Sequence, residues 1–191
     1  MMVILIVLVG LFAFAALYVP QSQGGVSSAQ GGVSSGFKVY EDFPGGSQAQ
    51  VYPTTLLSVT CNTCTGGGTG LTFVASDSVS FKGDTITGGS CSGTVSFSSV
   101  GGVVPAGAPV SGIGSASTSP MACPMTAVTV PFSDFSSLPS GSYTLTATLD
   151  SSASVTFTHG GPSPAVAAPP VSVSVTVVIS DGEVTGVTGS I

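Results

Sequence analysis

Apolar and hydroxyl side chains alternate without a break in Tyr143-Thr144-Leu145-Thr146-Ala147-Thr148-Leu149. The same alternation returns in Val171-Ser172-Val173-Ser174-Val175-Thr176-Val177, and the hairpin pair Asp181-Gly182 follows it. A period of two residues places apolar groups on one face of a β-strand and hydroxyl groups on the other. Asp-Gly is a favoured pair for a tight hairpin turn. These two stretches therefore predict half-buried antiparallel strands.

Shorter stretches of the same kind cover the rest of the chain from Phe37 onward, and Gly, Pro and Ser separate them. They occupy residues 51–60, 71–74, 79–81, 94–98, 127–130 and 155–157. Short strands at regular spacing with Gly and Pro between them predict an antiparallel β-sandwich over residues 37–191. Residues 103–124 are rich in Gly, Pro, Ser and Ala, and we expect a long loop attached at Cys123.

The first segment, Met1 to Val19, carries no charged or strongly polar side chain. As a helix it would extend about 28 Å, close to the hydrocarbon thickness of a bilayer. We predict a hydrophobic helix over residues 1–20, ended by Pro20, and a Gly/Ser linker over residues 21–36. No Lys or Arg precedes the apolar run, which is longer than a signal-peptide core, so we expect the segment to be retained. The side chains expected to make its packing contacts are Val3, Ile4, Leu5, Ile6, Val7, Leu8, Val9, Leu11, Phe12, Phe14, Leu17 and Tyr18.

Composition excludes several functions. Only 5% of the residues are charged, and the two basic residues are Lys38 and Lys82, so the chain cannot neutralise a run of phosphates and we expect no nucleic-acid partner. The eight acidic residues are scattered along the chain, and we interpret them as solvated turn residues. The single histidine, His159, has no nucleophile motif beside it, so we predict no enzyme, no cofactor and no metal site.

Four cysteines occur, at Cys61, Cys64, Cys91 and Cys123. An even number in a charge-poor, turn-rich chain predicts two disulfides, and three pairings are open. The Cys61-x-x-Cys64 spacing also fits half of a zinc site or a redox pair. Zinc is disfavoured because Cys91 and Cys123 are far apart in sequence, and a redox pair is disfavoured because no helix follows the motif.

Ser, Thr and Gly replace charge on the predicted surface. Hydroxyl groups hydrate a surface without titrating, so we hypothesise that the protein faces a harsh exterior, hot or acidic, in which carboxylate networks would be unreliable. A Ser/Thr-rich surface is also typical of O-glycosylated proteins, which makes O-linked glycans the milder interpretation.

An apolar leading segment followed by a Ser/Thr-rich β-sandwich resembles the archaeal branch of the type IV pilins. In that family hydrophobic helices bundle in the core of a filament, and β-domains form its sheath. The resemblance implies that Met1 to Val19 is the core helix and that Phe37 to Ile191 is the sheath domain. It implies an extracellular filament subunit with a role in adhesion, whose partners are its own copies and, before assembly, a membrane.

Two further expectations complete this interpretation. The run Leu138-Pro139-Ser140-Gly141-Ser142-Tyr143 resembles the start of a strand in immunoglobulin-like surface domains, where a tyrosine pins a corner. The expected fold class is therefore mainly β, with an N-terminal hydrophobic α-helix followed by an immunoglobulin-like antiparallel β-sandwich. The alternative function is a single-span, membrane-anchored surface protein of a cell or a virion structural protein, with the sandwich outside the membrane.

Overall fold

A computed structural model of the chain describes residues 27–31, 37–39, 49–61, 63–64, 68–83, 85–115, 119–159 and 161–190. The predicted hydrophobic helix and its twelve packing residues, from Val3 to Tyr18, lie outside the described residues. So does most of the predicted linker.

The expected fold class, a hydrophobic α-helix followed by an immunoglobulin-like sandwich, is wrong for the described residues and is corrected to mainly β. No helix of seven or more residues occurs in these ranges, where the one helical element is a 3-10 turn, Phe132–Phe135. The described ranges alternate apolar and hydroxyl residues with period two, which suits a pleated surface rather than a helix. The predicted pair of β-sandwich sheets is confirmed in this part of the chain.

The strands, in chain order, are β1 Ser27–Gly31, β2 Phe37–Val39, β3 Ala49–Cys61, β4 Gly70–Lys82, β5 Ile86–Phe97, β6 Ala108–Gly114, β7 Met121–Pro124, β8 Val128–Pro131, β9 Gly141–Phe157, β10 Gly161–Pro162, β11 Val166–Ala167, β12 Val171–Ser180 and β13 Glu183–Ser190.

The first sheet has four strand positions, and all of its pairs are antiparallel. The β3–β4 hairpin is its centre. Strands β1 and β2 both pair with β3, one beyond the other, and form one edge. Strands β7 and β8 share the opposite edge along β4 in the same way. Strand β1 lies within residues 21–36, the segment predicted as linker.

The second sheet has five strand positions in the order β13, β12, β9, β5 and β6, again antiparallel. Strand β9 is 17 residues long and runs the length of this sheet. Strands β10 and β11 pair with β9 beyond the end of β12, so β10, β11 and β12 together occupy one strand position beside β9. The two predicted alternating stretches thus lie side by side in β9 and β12.

The core fills the space between the two sheets with alternate side chains from each strand. Leu145, Ala147 and Leu149 are fully buried, as the alternation in β9 predicts. Phe73 of the first sheet meets Phe97 of the second edge-to-face, with ring centroids 5.0 Å apart. Such a contact adds to the free energy of burial, because the positive edge of one ring faces the negative face of the other.

The expected loop over residues 103–124 is also wrong in part, because it contains β6 and β7. Glycine and proline interrupt the apolar–polar alternation of β6, so the sequence pattern did not predict this strand. One of these glycines is required by close packing: a Cβ on Gly112 would collide with the backbone of Pro124, whereas one on Gly114 would meet only the flexible side chain of Met121. Glycine therefore lets β6 approach β7 across the sandwich.

The predicted tyrosine corner is present at the start of β9. The hydroxyl group of Tyr143 donates a hydrogen bond of 2.9 Å to the carbonyl oxygen of Pro139. This bond ties the first residues of β9 to the turn that leads into the strand. The chain therefore enters its longest strand at a fixed angle.

We expect Tyr143→Phe to lower the free energy of unfolding by about 0.5–1 kcal/mol, because it removes this hydrogen bond and keeps the ring. Urea denaturation monitored by circular dichroism measures the change. Tyr52→Phe is the matched control, because the Tyr52 hydroxyl bonds only to Gln50 two residues away on the same strand. An equal loss in both variants would show that the corner has no special role.

Candidate functional site

The four cysteines form two disulfides, Cys61–Cys64 and Cys91–Cys123, which confirms the predicted number and selects one of the three pairings. Their Cα atoms are 5.5 Å and 6.3 Å apart, within the usual range for disulfides. All four cysteines are buried. Because both bonds consume the thiols, no thiolate remains as a zinc ligand, whereas the Cys61–Cys64 bond is also the form that an oxidised redox pair would take.

The Cys91–Cys123 bond joins the two sheets. Cys91 lies on β5 of the second sheet and Cys123 on β7 of the first. The other bond closes a short loop at the end of β3. One disulfide therefore fixes the tertiary structure, and the other fixes only local structure.

A buried polar cluster of Asp77, Thr55 and Ser151 lies near the Cys91–Cys123 disulfide, since Cys123 of β7 pairs with Asp77 of β4. Thr55 and Asp77 face each other on β3 and β4, and Ser151 comes from β9 of the opposite sheet. The Thr55 hydroxyl donates to Asp77 Oδ1 at 2.8 Å, and the Ser151 hydroxyl donates to the same oxygen at 3.1 Å. The two hydroxyl oxygens are 2.8 Å apart. The cluster is a polar bridge between the sheets.

The second carboxyl oxygen of Asp77 is buried and has no hydrogen-bond partner among the described residues. Burial raises the pKa of the Asp77 carboxyl above its usual value, although the hydrogen bonds from Thr55 and Ser151 oppose the shift. Asp77 is 1% exposed and Thr55 is 0% exposed, so a substrate has no path to either group. The geometry fits a structural, protonatable link rather than a catalytic group.

Sequence reasoning placed Asp77 in a solvated turn, and that interpretation is wrong. The signal that could have identified Asp77 as buried is its position in the inward–outward alternation of the strand. Asp77 occupies an inward position of β4 in line with Phe73, Ala75 and Val79. Ser151 continues the inward series of β9 in the same way. A polar residue at an inward position of a long alternating strand indicates a buried hydrogen-bonded group.

The outer face of the second sheet, here called the hydroxyl face, carries mostly hydroxyl side chains. In its three central strands the outward residues include Asp150, Val178 and the hydroxyl residues Ser90, Ser92, Thr94, Ser96, Thr144, Thr146, Thr148, Ser152, Ser154, Thr156, Ser172, Ser174 and Thr176. Thr146 bonds to Ser174 and Thr148 to Ser172, each at 2.8 Å across β9 and β12. Cross-strand hydroxyl pairs of this kind stabilise a sheet.

A shallow groove with a volume of about 380 Å³ lies at the hydroxyl face. Its lining includes Ser151 of the buried cluster, and the other lining residues are Ser92, Gly93, Thr94, Asp150, Ser152, Ala167 and Ala168. His159 lies exposed in the turn after β9. Within the described ranges, no three His, Cys, Asp or Glu side chains come together as a metal site would require.

Comparisons with known proteins identify no relative. No protein family, no curated protein and no solved structure matches the chain. Among the described residues no helix has the length and apolar character needed to cross a membrane.

Proposed function

We propose that the protein is a structural subunit of an extracellular helical filament, assembled through its apolar N-terminal segment, with a role in adhesion. The observation that carries this proposal is the uninterrupted apolar run from Met1 to Val19 on a chain whose other part is a disulfide-linked β-sandwich. A segment without a polar face needs apolar neighbours around its whole circumference. Identical segments of other subunits supply them.

The energetics of assembly are consistent with this proposal. Burying one large apolar side chain contributes about 1.5–3 kcal/mol relative to water before ordering costs, so a run of this length strongly favours a covered segment over one exposed to water. Transfer of the segment from a membrane into a bundle of copies leaves its apolar burial nearly unchanged. The same segment therefore serves both states, with the membrane as the partner before assembly.

The sandwich has the properties of an exterior domain. Its disulfides are typical of oxidising compartments, which include the cell exterior. Its hydroxyl face carries Ser and Thr where other surfaces carry Lys and Glu, and these hydroxyls are potential acceptors for O-linked glycans. A neutral, hydrogen-bonding surface on the outside of a filament suits contact with other surfaces.

The second candidate is a single-span surface or virion protein in which lipid surrounds the same segment. Two features of the sequence favour it: the unbroken apolar run from Met1 to Val19, which is long enough to cross a bilayer core, and Tyr18, an aromatic residue at the end of that run. Electron micrographs of purified full-length protein distinguish the candidates. Long fibres without detergent support the filament, and particles that require detergent or lipid support the anchor.

We expect Leu8→Asp to abolish fibre formation at concentrations where the unmodified chain assembles. A carboxylate in the middle of an apolar segment costs about 2.5–3.5 kcal/mol, which raises the critical concentration by a factor on the order of 100. Pelleting assays over a concentration series measure this concentration. Leu8→Ile is the control, since it keeps the segment apolar, and unchanged assembly of Leu8→Asp would contradict the proposal.

A further inference from the structure

The sandwich has four lateral strand edges, and they differ in how well they are closed. An edge strand presents backbone N–H and C=O groups without partners, which makes it a template for another strand. Proteins block such edges with lysine, proline, interruptions or covering loops. The four edges here are β13 and β6 of the second sheet, β1/β2 of the first sheet, and β7/β8 of the first sheet.

The side formed by β6 and β7/β8 is closed. The Thr126 N–H donates to the carbonyl oxygen of Ser111 at 3.0 Å, and the Ser111 N–H donates to Thr126 Oγ1 at 3.3 Å. The Cys91–Cys123 disulfide joins the two sheets on the same side. The edge of β6 is therefore largely occupied within the subunit.

The β1/β2 edge is interrupted. It consists of two short strands, Ser27–Gly31 and Phe37–Val39, whose registers against β3 differ, because Gly31 pairs with Thr55 and Phe37 pairs with Val51. Short and irregular edge strands discourage pairing with another chain.

Strand β13 has fewer of these protections. It contains no Lys, Arg or Pro and carries its single charge at its first residue, Glu183, and a bulge at Thr185 is followed by regular pairing with β12 from Gly186 to Ser190. Among the described residues its main contacts are β12 and the 3-10 turn, and that turn lies beside its first two residues, Glu183 and Val184. From Gly186 to Ser190 no other described strand pairs with the outer edge of β13.

The geometry points to a second copy of this chain as the occupant, with the two β13 strands paired antiparallel about a two-fold axis. Two identical edges related by a two-fold axis perpendicular to the sheet run antiparallel and satisfy each other's backbone groups. The uncharged residues Thr185 to Ser190 bring no like charges together. The same rotation keeps both hydroxyl faces on one side, so the dimer presents one continuous hydroxyl surface across ten strand positions.

This inference does not depend on the filament proposal, because the edge lies in the sandwich and the assembly segment does not. We expect full-length protein, held in detergent so that the apolar segment is covered, to show a concentration-dependent monomer–dimer equilibrium in sedimentation velocity. Amide hydrogen exchange of the peptide 185–190 should slow as the dimer forms.

We expect Thr188→Lys to raise the dimer dissociation constant roughly tenfold or more, because it places a lysine from each copy at the shared edge. Thr144→Lys is the matched control. Thr144 pairs with Thr176, and Thr176 pairs with Thr188, so the control puts the same exposed lysine in the same cross-strand row, two strands away from the edge. The control should dimerise as the unmodified chain does.

Four results would overturn the inference. A monomer at every concentration would show that the edge stays unpaired, and equal weakening by both lysine variants would place the contact on the hydroxyl face. Protection of residues 185–190 that is independent of concentration would assign the edge to another segment of the same chain. Fibres whose β13 amides exchange freely would contradict the β13 dimer and leave the filament proposal standing. A chain that forms the dimer but no fibres would contradict the filament proposal and support the β13 dimer.

Discussion

Replacing Cys91 and Cys123 together by alanine lowers the free energy of unfolding by about 3.5–4 kcal/mol, the largest loss we expect from removing either disulfide. The two residues are 32 positions apart in the chain, and a cross-link over such a loop restricts the unfolded chain by about this free energy. The bond also ties β5 of one sheet to β7 of the other, on the side where the sandwich is closed. Guanidinium denaturation measures the loss, and it is monitored by circular dichroism because the chain contains no tryptophan.

The matched control is the double alanine variant of Cys61 and Cys64. Their separation is 3 positions, so the same loop-entropy argument gives a loss of only about 2 kcal/mol. Reduced wild-type protein should lose the sum of the two effects, because the two bonds are independent cross-links. A loss for the Cys61/Cys64 variant equal to or larger than that for the Cys91/Cys123 variant would contradict the argument that the inter-sheet bond carries the greater stabilisation.

The parts of the fold that sequence predicted are those whose information is local. The alternation in residues 143–149 and 171–177 predicted β9 and β12 and their buried faces, because period two assigns every side chain to a face. Tyr143 was predicted to pin a corner, and its bond to Pro139 spans only four residues. The number of disulfides followed from composition and context.

The parts that sequence missed depend on contacts between distant residues. Nothing near Cys123 shows that its partner is Cys91, because β5 and β7 meet only after both sheets form. Strand β6 is stabilised by its pairing with β5, and its Gly112 is explained by the approach of β7, so its own residues gave no strand signal. The hydrogen bonds to Asp77 come from residues 22 and 74 positions away. Tertiary context overrides local pattern in each case.

The second large effect concerns pH: we expect the protein to be more stable in acid than at neutral pH, through Asp77. Burial raises the pKa of this carboxyl in the folded state above the value of 3.8 that an unconstrained aspartate has. Below that value both folded and unfolded states hold the proton, and the contribution to stability is complete. As pH rises through the folded pKa the folded state must bury a charge, so the free energy of unfolding falls, by at most about 1.4 kcal/mol per pH unit. Urea denaturation at a series of pH values between acid and neutral measures the slope.

Asp77→Asn separates this carboxyl from every other acidic group. An amide keeps the shape and still accepts hydrogen bonds from Thr55 and Ser151, but it never ionises. We expect the variant to flatten the pH profile, because it removes the fall of up to about 1.4 kcal/mol per pH unit that ionisation of the buried carboxyl causes. Asp150→Asn, which alters an exposed carboxylate of the hydroxyl face, is the control for the substitution itself. The opposite slope, with stability that rises from acid to neutral pH and loses that rise in Asp77→Asn, would mean that the cluster stabilises the carboxylate. The sheets would then be joined by a buried anion, and the hydroxyl-rich, charge-poor chain would not be adapted to an acidic exterior.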